Sequence, residues 1–167
     1  MELAASGLFR AKWTDRIHDE WISNVLKHRA DLTSAQLTRT RDLMNRAVPD
    51  CLVKNYEDLI DGLNLPDPDD RHVLAAAIAA ASDAIVTFNL KDFPKDYLWS
   101  FNMEALHPDA FIHQQFGLDK ASVLVAARRC RERLRTPARS ADAYLDTLEK
   151  QGLPQTVSEL RQYSAIL

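Results

Sequence analysis

Cysteine and glycine are scarce in this chain, and it has no long hydrophobic run. The two cysteines, Cys51 and Cys130, are too few for a disulfide framework and lack the spacing of a zinc site. Only four glycines occur, and neither a Walker A phosphate loop nor a glycine-rich dinucleotide loop is present. No apolar run approaches the roughly 18 residues that a membrane span needs, and the opening MELAAS does not read as a signal peptide. We therefore predict a cytoplasmic protein with reduced thiols and no membrane partner.

Length and charge limit the architecture and the partners. With 167 residues, 46% of them hydrophobic and 27% charged, the chain has the composition of one globular domain, or of one domain with an appendage. The formal net charge of -3 gives no overall attraction to nucleic acid. Any such binding must therefore come from a local basic patch.

The hydrophobic pattern predicts an α/β fold followed by helices. Helical spacing covers residues 15–29, 33–47, 56–63 and 70–82, and the apolar run at 84–88 predicts a buried parallel strand. Weaker strand candidates lie at 8–13 and 103–106, and this alternation favours an α/β fold with a parallel sheet. After residue 107 only helices are predicted, at 111–116, 120–134, 141–151 and 156–166. We expect an α/β domain over residues 1–107 and a helical C-terminal extension over 108–167; the strand argues against a purely helical structural protein.

Two acidic turns are predicted to converge at one edge of the sheet. Asp70 opens a helix and shares its inward face with apolar residues three and four positions later. Thr87, Asn89 and Asp92 lie at or just beyond the end of the strand that this helix feeds, and ligands of parallel sheets sit beyond the carboxyl ends of strands. Hard divalent cations prefer such oxygen ligands. The pattern therefore indicates a cation site for metal-assisted phosphoryl chemistry.

A purely structural interpretation of these residues stays open. Asp67 and Asp69 could simply form the turn, with Asp70 as the helix cap and Asp92 as an ordinary turn residue. Glu20 borders the apolar face of the helix at 15–29 and, taken alone, is an exposed helical acid. The two neighbouring histidines are expected on the surface, without zinc-site spacing; they are His18 and His72.

The chain resembles a known family at these motifs. Residues 70–77, DRHVLAAA, followed by 85–93, IVTFNLKDF, resemble the core of a PIN domain. With 17–21, IHDEW, and 148–156, LEKQGLPQT, the chain is similar to bacterial VapC-like PIN proteins that carry a helical C-terminal extension. The resemblance covers most of the chain. It implies a three-layer α/β/α fold with a parallel sheet.

The resemblance also implies an activity and the residues that carry it. The family implies a metal-dependent ribonuclease, often the toxin of a toxin–antitoxin pair, whose partners are RNA and a cognate antitoxin. Its acidic site falls here on Glu20, Asp70 and Asp92, with Asn89 at a position often held by Asp and Thr87 as a polar support beside it. Two Mg²⁺ or Mn²⁺ ions are the cofactors expected for phosphodiester hydrolysis. Asp70 and Asp92 would hold metal, while Glu20 would bind metal or orient the water.

One departure from the family pattern concerns the N-terminus. PIN domains begin with a central strand that carries an Asp, and nothing before Leu8 fits such a strand. Residues 1–9 resemble instead the end of the helix that follows it, closed by Gly7. The expectation is that the chain starts about 20 residues late relative to the family. This leaves a second hypothesis open, in which an impaired PIN scaffold serves only as an RNA- or antitoxin-binding module.

A basic cluster is the best candidate for contact with RNA or with an acidic antitoxin segment. The sequence RRCRERLR at 128–135 contains five arginines: Arg128, Arg129, Arg131, Arg133 and Arg135. Such a cluster can bind phosphates with salt-dependent affinity. The alternative is a solvated helix face near a helix C-terminus, where cations are stabilised in any case. A homodimer is expected, because dimers are the commonest oligomers of such proteins.

Overall fold

A computed structural model of the protein describes residues 1–135 and 137–167, which form two compact units. The first unit contains Met1, Arg10–Ile85 and Lys91–Ala105, and the second contains Glu2–Phe9, Val86–Leu90 and Leu106–Leu167. The helices and strands, in chain order, are α1 (Asp15–His28), α2 (Ser34–Ala47), α3 (Arg71–Ala79), β1 (Ala84–Val86), α4 (Lys95–Trp99), β2 (Glu104–Leu106), α5 (Pro108–Arg133), α6 (Ala141–Lys150) and α7 (Pro154–Arg161). Short 3₁₀ helices occupy Ala4–Ser6, Glu57–Gly62, Pro68–Asp70, Leu90–Asp92 and Ser164–Ile166. The boundary expected at residue 107 stays a prediction.

Threonine side chains cap the first two helices. The buried Thr14 accepts a hydrogen bond from the Ile17 amide at 3.1 Å and starts α1. Thr33 and Gln36 form a reciprocal capping box at the start of α2, in which each side chain accepts from the other residue's amide. Such caps satisfy backbone donors that the first helical turn leaves unpaired. The predicted helices at 15–29 and 33–47 are thereby confirmed.

A hydrogen-bond network joins α1 to α2 and buries His18. Asn45 Oδ1 accepts from Trp13 Nε1 at 2.7 Å and lies 2.9 Å from His18 Nε2, while Trp21 Nε1 donates to His18 Nδ1 at 2.8 Å. Because Nδ1 accepts, the imidazole proton lies on Nε2. The expectation that His18 is a surface residue is wrong: both ring nitrogens are satisfied inside the protein, so burial carries no penalty for them.

The alanine-rich helix α3 lies in the core of the first unit. Leu74 and Ala75 have no exposed surface, and neither has Leu98 of α4. The helix ends at Ala79 in a Schellman arrangement, in which Ser82 N donates to Ala77 O and Ala81 adopts a left-handed φ of 48°. The other buried members of this core are Tyr56, Leu63, Leu65, Ala76, Ala77, Ile85, Phe93 and Met103.

The strands β1 and β2 form a short parallel pair. Glu104 N donates to Asp83 O at 3.2 Å and Thr87 N donates to Leu106 O at 3.0 Å, the slanted pattern of a parallel ladder. The predicted strand at 84–88 stops at Val86, because Asn89 N donates to Thr87 Oγ1 at 3.0 Å and turns the chain. The prediction that the whole run at 84–88 is buried was also wrong, since 64% of Phe88 is exposed. The α/β class with a parallel sheet and C-terminal helices is confirmed.

The remaining strand and turn predictions are only partly correct. Of the predicted strand at 8–13, only Trp13 pairs, in an isolated parallel bridge to Leu52. The strand predicted at 103–106 is present as β2, and the predicted helix at 56–63 is a 3₁₀ helix. The first residues form a 3₁₀ turn that ends at Gly7, whose φ of 82° suits glycine.

The second unit is built from α5, α6 and α7 around its own core. Helix α5 is interrupted at Asp119, two residues after the break predicted near Gly117, and the Asp119 carboxylate then caps the following turn by accepting from Ser122 N. The buried Asp109 accepts from the Gln155 and Thr156 amides at 2.9 and 2.8 Å and thereby fixes the start of α7. The core consists of Phe116, Val123, Leu124, Ala127, Tyr144, Leu145, Val157, Leu160 and Leu167. Within the described residues, no helix combines the length and apolar character of a membrane span.

Candidate metal centre

Three aspartates of the first unit come together at the ends of two turns. Asp67, Asp70 and Asp92 each offer a carboxylate oxygen, and the three oxygens lie within 4.8 Å of one another. Asp67 and Asp70 flank the turn that leads into α3, whereas Asp92 closes the turn at Leu90–Asp92. Asp67 is exposed, Asp70 is half-buried and Asp92 is buried. The structure thus brings together the two acidic turns that the sequence predicted to converge.

The local chain geometry explains why Asp67 belongs to this acid cluster. Its Oδ1 accepts from Asp69 N at 2.9 Å, and its carbonyl oxygen accepts from Asp70 N at 3.2 Å. This is a 3₁₀ turn, and side chains three residues apart in such a turn lie one above the other. The sequence interpretation gave Asp67 only a turn role and missed its place in the cluster. The signal that could have found it is the three-residue spacing to Asp70 next to Pro68.

The carboxylate of Asp70 is not used for helix capping. Asp70 occupies the N-cap position of α3, but its side chain makes no cap hydrogen bond. Capping therefore does not account for this residue, although it was the structural alternative. Its carboxylate is placed instead among other acids.

The electrostatics of the cluster favour a bound cation. Burial raises the pKa of Asp70, and the negative charges of Asp67, Asp92 and Glu20 raise it further. Neighbouring carboxylates resist full ionisation unless a positive charge joins them. A divalent cation would supply that charge.

Glu20 approaches the cluster from α1 and contacts a buried histidine. Its Oε1 lies 3.3 Å from Arg16 Nε and 2.9 Å from Nε2 of His72 in α3. The expectation that His72 is a surface residue is wrong, because the inward face of α3 buries it completely. Burial lowers the pKa of His72, and the nearby Glu20 charge opposes that effect. Glu20 is thus close enough to influence Asp70, but it is outside the group of three close carboxylates.

Two further predicted site residues lie in the second unit. Thr87 Oγ1 accepts from Asn89 N, and this contact shapes the turn after β1. Their assignment to the acidic site stays a prediction.

The donor set of the cluster matches Mg²⁺ or Mn²⁺. All three close ligands are carboxylate oxygens, which hard divalent cations prefer. Zinc sites are built mainly from nitrogen and sulfur donors. The residues present therefore fit the cations expected from the sequence.

The basic cluster lies at the end of α5, and three of its five arginines have partners within the second unit. Arg128 pairs with Glu132 at 2.8 Å, Arg133 pairs with Glu2, and Arg131 Nη1 donates to Arg139 O at 3.0 Å. Arg129 and Arg135 are exposed, and neither forms an ion pair with any residue in the described ranges.

This fold and site define a class: an α/β protein with a short parallel sheet and a cluster of three close carboxylates. The chain belongs to the PIN domain family, whose model matches residues 1–91. A second model, described as the VapC50 C-terminal domain, matches residues 108–162. The resemblance to VapC-like PIN proteins with a C-terminal extension is thereby confirmed.

A relative in Mycobacterium tuberculosis (strain ATCC 25618 / H37Rv) bears the name "Putative ribonuclease VapC50". It is 36% identical to this chain over 107 residues, a match that covers 64% of this chain and 62% of the relative. No solved structure matches the chain significantly.

Proposed function

We propose that the protein is a metal-dependent endoribonuclease and the toxin of a type II toxin–antitoxin pair. The observation that carries the proposal is the acid cluster, in which Asp67, Asp70 and Asp92 place oxygens within 4.8 Å of one another. Membership of the PIN family and the name of the mycobacterial relative support RNA as the substrate.

The four acids divide into two roles in this proposal. Asp70, Asp92 and Asp67 would hold Mg²⁺ or Mn²⁺, and Glu20 would bind the cation or orient the attacking water. A divalent cation at such a site polarises water and stabilises the leaving oxygen of a phosphodiester. Because the pKa of Asp70 is raised, its carboxylate protonates at a higher pH than an ordinary Asp. Protons therefore compete with the cation there, and on acidification the activity should be lost at a higher pH than an Asp ligand with an unshifted pKa would give.

The partners follow from the same proposal. Arg129 and Arg135 are the members of the basic cluster best placed to contact RNA phosphates or an acidic antitoxin segment, since the other three have partners within the second unit. We further propose a homodimer in the cytoplasm. The two free cysteines, Cys51 and Cys130, are consistent with a reducing compartment.

Cleavage of a structured RNA by the full chain tests the proposed function. Cleavage should require Mn²⁺ or Mg²⁺ and should fall at least 100-fold in Asp70→Asn and in Asp92→Asn. The matched control is Asp61→Asn, which removes an exposed carboxylate outside the cluster and should leave the rate unchanged. Equal loss in all three variants, or full activity of Asp70→Asn, would show that the cluster is not the site.

A binding module without turnover is the second candidate. It is favoured by Asn89, which stands at a position often held by Asp in the family. RNA or antitoxin binding that is tight, unaffected by EDTA and unaccompanied by cleavage would support it. Metal-dependent cleavage that is lost in Asp92→Asn would exclude it.

A further inference from the structure

His72 is a buried polar residue that the proposed chemistry does not use. It lies in α3, two residues after Asp70, and its side chain has no exposed surface. Its Nε2 lies 2.9 Å from Oε1 of Glu20 in α1, and both residues belong to the first unit.

The imidazole of His72 lacks the hydrogen bonds that a buried polar group normally has. Neither ring nitrogen makes a hydrogen bond of standard geometry to any residue in the described ranges, although Glu20 is within reach of Nε2. A buried polar group without a hydrogen bond destabilises the folded state, so such groups are rare without a role. His18, equally buried, shows the contrast: its ring nitrogens pair with Trp21 and Asn45.

The contact places a constraint on one oxygen of Glu20. Oε1 faces both His72 Nε2 and Arg16 Nε, whereas no described residue is bonded to Oε2. At 2.9 Å, His72 Nε2 and Glu20 Oε1 are within hydrogen-bond distance, so an N–H on Nε2 can donate to this carboxylate once the two groups align. Such a bond would fix the plane of the carboxylate and leave Oε2 available.

We infer that His72 is a positioning residue that holds Oε1 of Glu20, so that Oε2 is presented to the cation or to the attacking water. This inference depends on the proposed function, because it gives Glu20 its role at the cation. His72 itself does not touch substrate or metal in this scheme. It acts only through Glu20.

Two substitutions of His72 distinguish the effect of losing the N–H donor from the effect of changing the side-chain volume. His72→Leu removes the N–H, whereas His72→Gln keeps an amide N–H at a similar reach. Loss of a group that orients a metal ligand typically weakens metal affinity about 10–100-fold. We therefore expect His72→Leu to weaken Mn²⁺ binding at least 10-fold by calorimetry and to lower kcat for RNA cleavage with little change in KM. His72→Gln should recover most of both losses.

The matched control is His18→Leu, which removes another buried imidazole that does not contact Glu20. It should lower thermal stability without weakening Mn²⁺ binding. A His72→Leu effect no larger than that of His18→Leu, or His72→Gln as impaired as His72→Leu, would overturn the inference.

A double-mutant cycle tests whether His72 acts through Glu20. In a Glu20→Ala background, His72→Leu should cause no further loss of Mn²⁺ affinity. An equal loss in both backgrounds would overturn the inference. Should His72→Leu fail to fold, ¹⁵N spectra of the wild type decide instead: the Nε2–H tautomer and a shift of the Nε2 signal in Glu20→Ala are expected. The Nδ1–H tautomer, or an unchanged signal, would count against the inference.

Mn²⁺ binding distinguishes failure of the His72 role from failure of the proposed function. Mn²⁺ binding that is lost in Asp70→Asn but unaffected by His72→Leu would remove the inference and leave the proposed function intact. No Mn²⁺ binding to the wild type would remove both.

Discussion

The Asp70→Asn substitution should stabilise the metal-free protein while abolishing its response to a divalent cation. Asp70 is half-buried, and its carboxylate oxygen lies within 4.8 Å of oxygens from Asp67 and Asp92. At that distance each pair of charges repels by about 0.9 kcal/mol in a water-like dielectric and by about 3.5 kcal/mol at an effective dielectric constant of about 20. Because Asp67 is exposed and salt screens it, the lower figure applies best.

Removal of one charge relieves two such pairs, so we expect a gain of about 1–2 kcal/mol. For a chain of this size, that gain raises the melting temperature by about 2–6 °C. The predicted gain in stability agrees with the direction of the pKa shift. Burial and its acidic neighbours raise the folded-state pKa of Asp70 above the unfolded value, so the ionised carboxylate destabilises the folded state. Stability is therefore lost as pH rises from the unfolded to the folded pKa of Asp70, and the full penalty is present above the folded pKa.

With a divalent cation present, the wild type is expected to be stabilised more than Asp70→Asn. A ligand at 100 times its dissociation constant stabilises the folded state by about 2.7 kcal/mol. Wild-type protein should gain that stability with Mn²⁺, whereas Asp70→Asn should gain little. Differential scanning fluorimetry in EDTA and then across an Mn²⁺ titration measures both effects, with Asp61→Asn as the control. A lower melting temperature of Asp70→Asn in EDTA, or an Mn²⁺ response equal to that of wild type, would refute this reasoning.

Further predictions concern stability and RNA binding. Asp109→Ala should lower the free energy of unfolding by about 3 kcal/mol, measured by chemical denaturation. The substitution leaves the two amides at the start of α7 without their charged acceptor. An effect below about 1 kcal/mol would contradict that role. The amide hydrogen bonds outweigh burial and lower the pKa of Asp109, so its stabilisation is present above the unfolded pKa and is lost as pH falls. Ala81→Gly should stabilise by about 1 kcal/mol, because it removes the left-handed strain of an alanine; destabilisation would show that the strain is absent. Arg129→Gln combined with Arg135→Gln should lower the slope of log affinity against log salt by about 1.4 for a single-stranded RNA, because two phosphate contacts are lost. The exposed Arg39→Gln should leave this slope unchanged. Equal slopes for the double variant and the wild type would exclude phosphate contacts by these arginines.

The sequence predicted most of what local chemistry determines. Helical spacing identified α1 and α2 to within a residue at each end, because the periodicity of apolar side chains is a local property of the chain. The convergence of Asp70 and Asp92 followed from topology, since a helix that feeds a parallel strand begins at the edge where that strand ends. These inferences required no knowledge of long-range packing.

The errors arose where a long-range contact or a turn decided the outcome. His18 and His72 were expected on the surface because histidine is often exposed, but Asn45 and Glu20 supply contacts that are distant in sequence. The strand at 84–88 was shortened by the hydroxyl of Thr87, which the apolar pattern does not reveal.

Three further features were missed, each for a different physical reason. Asp67 shapes a 3₁₀ turn and also joins the acid cluster, and the turn role alone satisfied the sequence pattern. The arginines at 128–135 appeared as one basic cluster, but pairing with Glu132 and Glu2 neutralises part of it. The short helix α4 was missed as well, since five residues after a proline give little periodicity.

The most direct test of the central claim is a single RNA-cleavage experiment on the full chain, with the divalent cation removed and restored. Protein stripped with EDTA should be inactive, addition of Mn²⁺ should restore cleavage, and Asp70→Asn should stay inactive at every Mn²⁺ concentration. Cleavage that persists in EDTA, or that Mn²⁺ restores equally in Asp70→Asn, would contradict the assignment of this acid cluster as the metal centre of a ribonuclease.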